Sequence, residues 1–211
     1  MSKLLAMESS ADLCSVAIRV NGEIRCLQGE GARNHNRLLF PMIDQLLREQ
    51  GVTLGDLSAI AFSAGPGSFT GIRLAASVAK GLGYAAKLPV IPVSSLAAIA
   101  QAFFSSSGED HCRVVVDARM GGFYVGEYQK NANGMAVASG KDRLLLTAQL
   151  SELEKSVPML TAPGVATAAD VLHLASVMLE AGEVCDALTA EPFYLRDSSI
   201  WKTTEQQVAK S

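Results

Sequence analysis

Residues Gly65-Pro66-Gly67-Ser68-Phe69-Thr70-Gly71-Ile72-Arg73 constrain the fold more tightly than any other stretch of the chain. The apolar run Ala59-Ile60-Ala61-Phe62 before them reads as a buried strand, and the pattern after them predicts an amphipathic helix from about Thr70 to Ala86. A strand therefore runs into a glycine-rich turn that opens a helix. Pro66 fixes one backbone angle, while Gly65, Gly67 and Gly71 permit angles or close approaches that a side chain would block. Ser68 and Thr70 are both suitable N-caps. Free backbone N–H groups and the helix dipole make Gly65, Gly67, Ser68, Phe69, Thr70 and Gly71 a candidate anion-binding loop. The alternative is a tight turn whose glycines serve packing alone. Three better-known loops are excluded: no lysine follows Gly71 as in a P-loop, Ser68 lacks the Gly-x-Ser-x-Gly spacing, and the glycines do not follow Gly-x-Gly-x-x-Gly.

The predicted helix carries three rows. Arg73, Ser77, Lys80, Tyr84 and Lys87 form a polar stripe, Leu74, Val78 and Leu82 an apolar row, and Gly71, Ala75, Ala79 and Gly83 a row of very small residues. A small-residue row lets another backbone approach closely, whether from a sheet or a helix.

The N-terminus reads as three antiparallel strands. Leu4 to Met7 and Cys14 to Val20 are separated by a polar turn, and Asn21-Gly22 is a strong hairpin signal before Glu23 to Gln28. A helix is predicted from Arg37 to Gln50, closed by Gly51. Its apolar residues Leu38, Leu39, Phe40, Met42, Ile43, Leu46 and Leu47 span an arc of roughly 200°, about twice the usual core-facing stripe. One sheet cannot bury all of it, so either a protein partner or a neighbouring helix covers the remainder. Phe40 and Leu47 lie at the far edge, beside Asp44 and Arg48.

A short strand from Leu88 to Val93 and a helix capped by Ser94 follow. Ser105-Ser106-Ser107-Gly108-Glu109-Asp110 is the clearest break in composition. It divides the chain into an N-terminal lobe, 1–108, and a smaller C-terminal lobe, 109–211, with a polar tail from Lys202. Strands are expected at Val114–Val116, Phe123–Tyr128, Leu144–Leu146 and Val157–Leu160, with helices at Thr147–Lys155 and Thr167–Ala181. Asp117 and Arg119, where a strand ends in a glycine-rich turn, are candidate cleft residues: the acid either caps the turn or helps hold Mg²⁺ on a phosphate.

At 49% hydrophobic and 18% charged, 211 residues can bury a substantial core. A net charge of −3 argues against a stand-alone nucleic-acid binder. The four cysteines form no Cys-x-x-Cys pair, and three of them, in apolar strand-like or helix-like settings, read as reduced fillers. The three histidines, His35, His111 and His173, have no partner at metal-binding spacing, and His35 is expected at the surface near a helix start. The opening apolar run is too short for a secretory leader and no membrane span is visible, so the expected location is the cytoplasm.

The segment Gly65 to Arg73, then Asp117-Ala118-Arg119, then Glu191-Pro192-Phe193-Tyr194-Leu195-Arg196, resembles the bacterial TsaB (YeaZ) family. The N-terminal strand-turn-strand and the helix from His35 to Leu47 fit the same pattern. The chain departs from it at Glu8, where Asp is usual, and at Asn36, where Ser is usual. The resemblance implies an α/β, two-lobed ASKHA fold (actin, Hsp70 and sugar kinases), with mixed sheets, helices and a reduced second lobe. It implies a non-catalytic subunit of the complex that forms N6-threonylcarbamoyladenosine at position 37 of tRNAs reading ANN codons. The implied partners are a TsaD-like catalytic paralogue, a TsaE-like ATPase, and a second copy of the chain when alone, with tRNA met only through the complex. No catalytic residue, metal or tightly bound cofactor is expected on this chain, and ATP or ADP enters at the level of the complex. The expected interface is Leu38, Leu39, Phe40, Met42, Ile43, Leu46, Leu47, Arg73, Ser77 and Lys80. Two other activities compete: an ASKHA-type phosphotransferase or ATPase using the Gly65 loop and Asp117, and a peptidase, for which no nucleophile-base pair can be defended.

Overall fold

Alternating large and small apolar residues give the first sheet two unlike faces. The structure, a computed structural model, describes residues 2–30, 35–150, 153, 159–161 and 166–195. Strands β1 (Leu4–Glu8), β2 (Leu13–Val20) and β3 (Glu23–Glu30) form an antiparallel meander. Strands β4 (Ala59–Gly65) and β5 (Val90–Ser94) extend it in parallel, giving the order β3-β2-β1-β4-β5. Asn21 and Gly22, at φ 54° and 88°, close the hairpin with the two positive-φ residues its tight turn requires. Successive strand side chains point to opposite faces. Leu5, Met7, Ile18, Ile60 and Phe62 thus fall on one face, and Leu4, Ala6, Ala17, Ala59 and Ala61 on the other. Helices α1 (His35–Glu49) and α2 (Phe69–Ala86) cover the bulky face.

The alanine face accepts helices at close range. Helix α3 (Ser95–Ser106) packs there and leads to a second sheet of β6 (His111–Asp117), β7 (Gly122–Lys130), β8 (Ala136–Ala138), β9 (Arg143–Leu146) and β10 (Met159–Thr161), with a one-turn helix α4 (Thr147–Leu150) after β9. The order is β10-β6-β7-β8, with β9 also paired to β7; β10 runs parallel to β6 and the other pairs are antiparallel. Helix α5 (Ala168–Glu180) then returns to the alanine face of the first sheet. There the buried Ala168 amide donates to Ser15 Oγ at 2.8 Å. The break at 108/109 therefore separates the two sheets, while α5 crosses back over it. Between the sheets, Tyr128 Oη and Ser94 Oγ both donate to the Asp142 carboxylate, at 2.7 and 2.9 Å. Strand β8 has no counterpart in the sequence reading. The expected tail from Lys202 and the second half of the Thr147–Lys155 helix lie outside the described residues.

The small-residue row of α2 faces its own sheet. Ala75 and Ala79 are fully buried, and a Cβ on Gly83 would stand 2.7 Å from a Val90 methyl. At the head of the helix the contact is backbone to backbone. A Cβ on Gly71 would lie 1.7 Å from the carbonyl oxygen of Ser9, and one on Gly67 would lie 2.5 Å from that of Ser10. Ser68 caps the helix, its Oγ accepting from the Gly71 amide at 3.3 Å.

The structure sorts the residues of the expected interface by burial and by contact. Leu39, Met42, Ile43 and Leu46 are buried against the first sheet, because they lie in the half of the apolar arc that faces it. Leu38 packs toward Gly29 of β3, while Phe40 stays 54% exposed and Leu47 half-buried. On α2, Arg73 and Lys80 are engaged by the chain's own C-terminal segment. Cys185 exchanges backbone hydrogen bonds with Val90 at 2.9 Å, and the Phe193 amide donates to the Ala64 carbonyl at 2.7 Å. Lys80 Nζ bonds the Glu191 carboxylate at 2.8 Å. Arg73 Nε donates to Tyr194 Oη at 3.0 Å, with its guanidinium 3.6 Å from the Phe69 ring centroid. Ser77 remains exposed.

These contacts predict an asymmetry between two glycines of one helix. Gly71→Ala should lose about 2 kcal/mol or more in chemical denaturation, because the methyl meets fixed backbone. Gly81→Ala, with no atom near the added methyl, should gain about 0.5–1 kcal/mol. Tyr194→Ala should cost less than about 1 kcal/mol globally, since the Arg73 contact is exposed. It should nonetheless quicken hydrogen exchange at the Phe193 amide.

Candidate functional site

Strands β1 and β4 are neighbours and run parallel, with Met7 opposite Phe62. Their C-terminal ends therefore deliver two loops side by side: the turn Glu8 to Asp12 and the glycine loop Gly65 to Thr70. Crevices beyond the carboxyl ends of parallel strands are the usual place for ligands in open α/β sheets. Here that crevice is a cleft of about 860 Å³, closed on its other side by β6, β7 and the turn between them. Phe193, Tyr194 and Leu195 of the C-terminal segment form part of its rim.

The cleft gathers some of the residues singled out in the sequence and leaves others outside. Gly67, Ser68 and Phe69 line it, as do Asp117 and Arg119. Gly65, Thr70 and Gly71 do not. Gly71 faces Ser9, and Gly65, at φ 102°, faces the carbonyl of Phe193. The glycine loop is shaped by packing: the Ser68 amide donates to the Ser10 carbonyl at 2.7 Å, and Ser9 Oγ donates to the Gly71 carbonyl at 2.9 Å. An N–H suited to holding an anion is thus spent within the chain. Asp117 is a turn residue, its Oδ1 accepting from the Arg119 amide at 2.7 Å. The turn continues through Arg119, Met120 and Gly121, all at positive φ.

Most of the wall is apolar, from Ile72, Ile99, Val115, Val116 and Phe123. Among its polar residues, Glu8 is one that the sequence pattern did not single out as a site residue. It lines the cleft yet is only 2% exposed. One carboxylate oxygen accepts from the Ser10 amide; the other, Oε2, is sealed from solvent, with the Ser10 and Ser63 hydroxyls as the polar groups beside the carboxylate. The neighbouring Ser63 hydroxyl is paired with Ser95 Oγ at 2.7 Å. Burial pushes the Glu8 pKa up; the hydroxyls of Ser10 and Ser63 oppose that shift and the charge of Asp170 adds to it. His35, expected at the surface, is 6% exposed, with Nε2 3.2 Å from the Asp12 carbonyl oxygen, so it braces the same turn.

No α1 residue lines the cleft, so the α1 surface and the cleft are separate candidate sites. Among the described residues, no three His, Cys, Asp or Glu side chains gather as a metal site, and no helix is long and apolar enough to cross a membrane.

Comparison with known proteins agrees with this architecture. The family model for TsaD, tRNA N6-adenosine threonylcarbamoyltransferase, matches residues 29–156. The tRNA threonylcarbamoyladenosine biosynthesis protein TsaB of Escherichia coli is 31% identical, with 95% of this chain and 97% of that protein aligned. The TsaB of Haemophilus influenzae is 33% identical over 94% of this chain and 95% of that protein. Among solved structures, YeaZ from Pseudomonas aeruginosa superposes with a TM-score of 0.85 at 34% identity, covering 92% of this chain and all of that one. The mixed sheets and their helices form an ASKHA-like fold. Similarity of this extent makes the chain a member of the TsaB (YeaZ) family of tRNA threonylcarbamoyladenosine biosynthesis proteins.

Proposed function

We propose that this chain acts in forming N6-threonylcarbamoyladenosine on tRNA as the accessory subunit that binds a TsaD-like catalytic paralogue. The role in this modification follows the relatives that align along nearly the whole chain. The observation that carries partner binding is the outer edge of α1. Phe40 is 54% exposed on a helix whose inner face is already covered, with half-buried Leu47 beside it. Phe40 also borders a shallow depression with Pro41, Asp44, Gln45 and Arg48. A large aromatic in such a setting is a typical anchor for another protein, with the surrounding charges as rim. The Asp44–Arg48 pair at 2.7 Å is solvated and adds little to stability. On the neighbouring α2, Ser77 and Tyr84 are also exposed. A TsaE-like ATPase and tRNA are engaged through the assembled complex, and the same α1 surface pairs two copies when the partner is absent.

The surface assignment separates two sets of variants. Phe40→Asp and Leu47→Asp should leave the circular dichroism spectrum intact and weaken binding to the TsaD-like chain at least tenfold, about 1.4 kcal/mol, by calorimetry. Leu39→Asp and Ile43→Asp, which place a charge in the core, should yield little folded protein. Undiminished association of the first pair with the partner would refute the α1 interface.

A further inference from the structure

We propose that residues 191–195 form a hinged lid on the cleft, latched by Arg73. The C-terminal segment divides into an anchor, residues 185–190, and this lighter span. In the anchor, Cys185 and Val90 exchange two backbone hydrogen bonds, both 2.9 Å. Ala187 and Ala190 are buried in the core that the first sheet shares with α1 and α2. A Cβ on Gly83 of α2 would stand 3.1 Å from that of Ala187, so helix and anchor touch closely. Backbone pairing and apolar burial of this kind resist local opening.

The span is held differently. None of residues 191–195 is buried. Its backbone tie to the first sheet runs from the Phe193 amide to the Ala64 carbonyl. Its side-chain ties lie at the surface. The Lys80–Glu191 pair is solvated on its acidic side and adds little. Arg73 joins the span to the opposite lip of the cleft. Its guanidinium rests on the ring of Phe69, in the glycine loop, while its Nε donates to Tyr194 Oη.

Position turns this difference into a device. Phe193, Tyr194 and Leu195 line the cleft together with Gly67, Ser68 and Phe69. Swinging the span about the junction of residues 190 and 191 removes that part of the wall and opens the cleft beside the glycine loop. The Ala64 carbonyl released by Phe193 meets the water that the same movement admits, so opening strands no buried acceptor. A few weak contacts beside a fixed anchor are the common construction of a lid, with the change in backbone angles taken up by few residues.

The test follows amide hydrogen exchange in the full chain by NMR. The Phe193 amide should exchange about tenfold faster or more than that of Cys185, through an opening that leaves the anchor closed. Arg73→Ala should quicken Phe193 about threefold or more and leave Cys185 and Val90 unchanged. Ser77→Ala, exposed on the same helix, should change none of the three. Indole serves as a neutral apolar probe of the cleft. It should shift cleft-lining amides such as Gly67 and Val115 at about threefold lower concentration in Arg73→Ala, because the open state is more populated. Equal protection of Phe193 and Cys185 would overturn the proposal, since the segment would then open as one unit. So would a Phe193 amide indifferent to Arg73→Ala, or a loosened span with no change in the indole titration.

Discussion

The contact between the Ser9 carbonyl and Gly71 sets the geometry on which the rest of the molecule depends. With 1.7 Å between that oxygen and the place a Cβ would occupy, no side chain fits at position 71 without moving backbone. The β1–β2 turn is thereby pressed onto the head of α2, where Ser68 and Ser9 add hydrogen bonds in both directions. This arrangement holds Glu8 in a dry place at the cleft wall. It also ties β1, β2, β4 and α2 into one body before the second sheet is considered. The glycines that look like a phosphate cradle are required by close packing, and only part of the loop meets the cleft.

Helix α1 illustrates how one amphipathic segment can serve two purposes. Its apolar arc is wider than a sheet can cover. The part centred on Leu39, Ile43 and Leu46 is consumed by folding, and the edge at Phe40 and Leu47 is left outside. A residue buried in the fold cannot also contribute to a docking surface, so interface energetics must be sought at the margin of the stripe. On α2 the same logic runs through polar groups, since Arg73 and Lys80 are held by residues more than a hundred positions later in the chain.

Local pattern carried far. The hairpin at Asn21-Gly22, the strand-loop-helix at Gly65, the small-residue row of α2 and the Ser94 cap are all features of short-range spacing, and the structure has each of them. Those that escaped sequence reasoning depend on long-range placement. Nothing adjacent to Arg73 announces Tyr194, and nothing near His35 announces that its ring meets the Asp12 carbonyl. Glu8 reads as the end of a strand, and its burial emerges only once the segments carrying Ser10, Ser63 and Asp170 are brought around it. The outer edge of α1 was legible as an excess of apolar arc, and the helical period already placed Phe40 and Leu47 at its far side, where the structure leaves one exposed and the other half-buried.

The return of α5 to the alanine face has a consequence for synthesis on the ribosome. Domains emerging from the exit tunnel tend to fold from the N-terminus as they appear. Here the first sheet is translated early and α3 follows onto part of its inner face, but α5, which covers the rest of that face, arrives only with residues 168–180. Until α5 is made, the part of the inner face that it covers stays open to water, and the first sheet and its helices cannot acquire their full cooperativity.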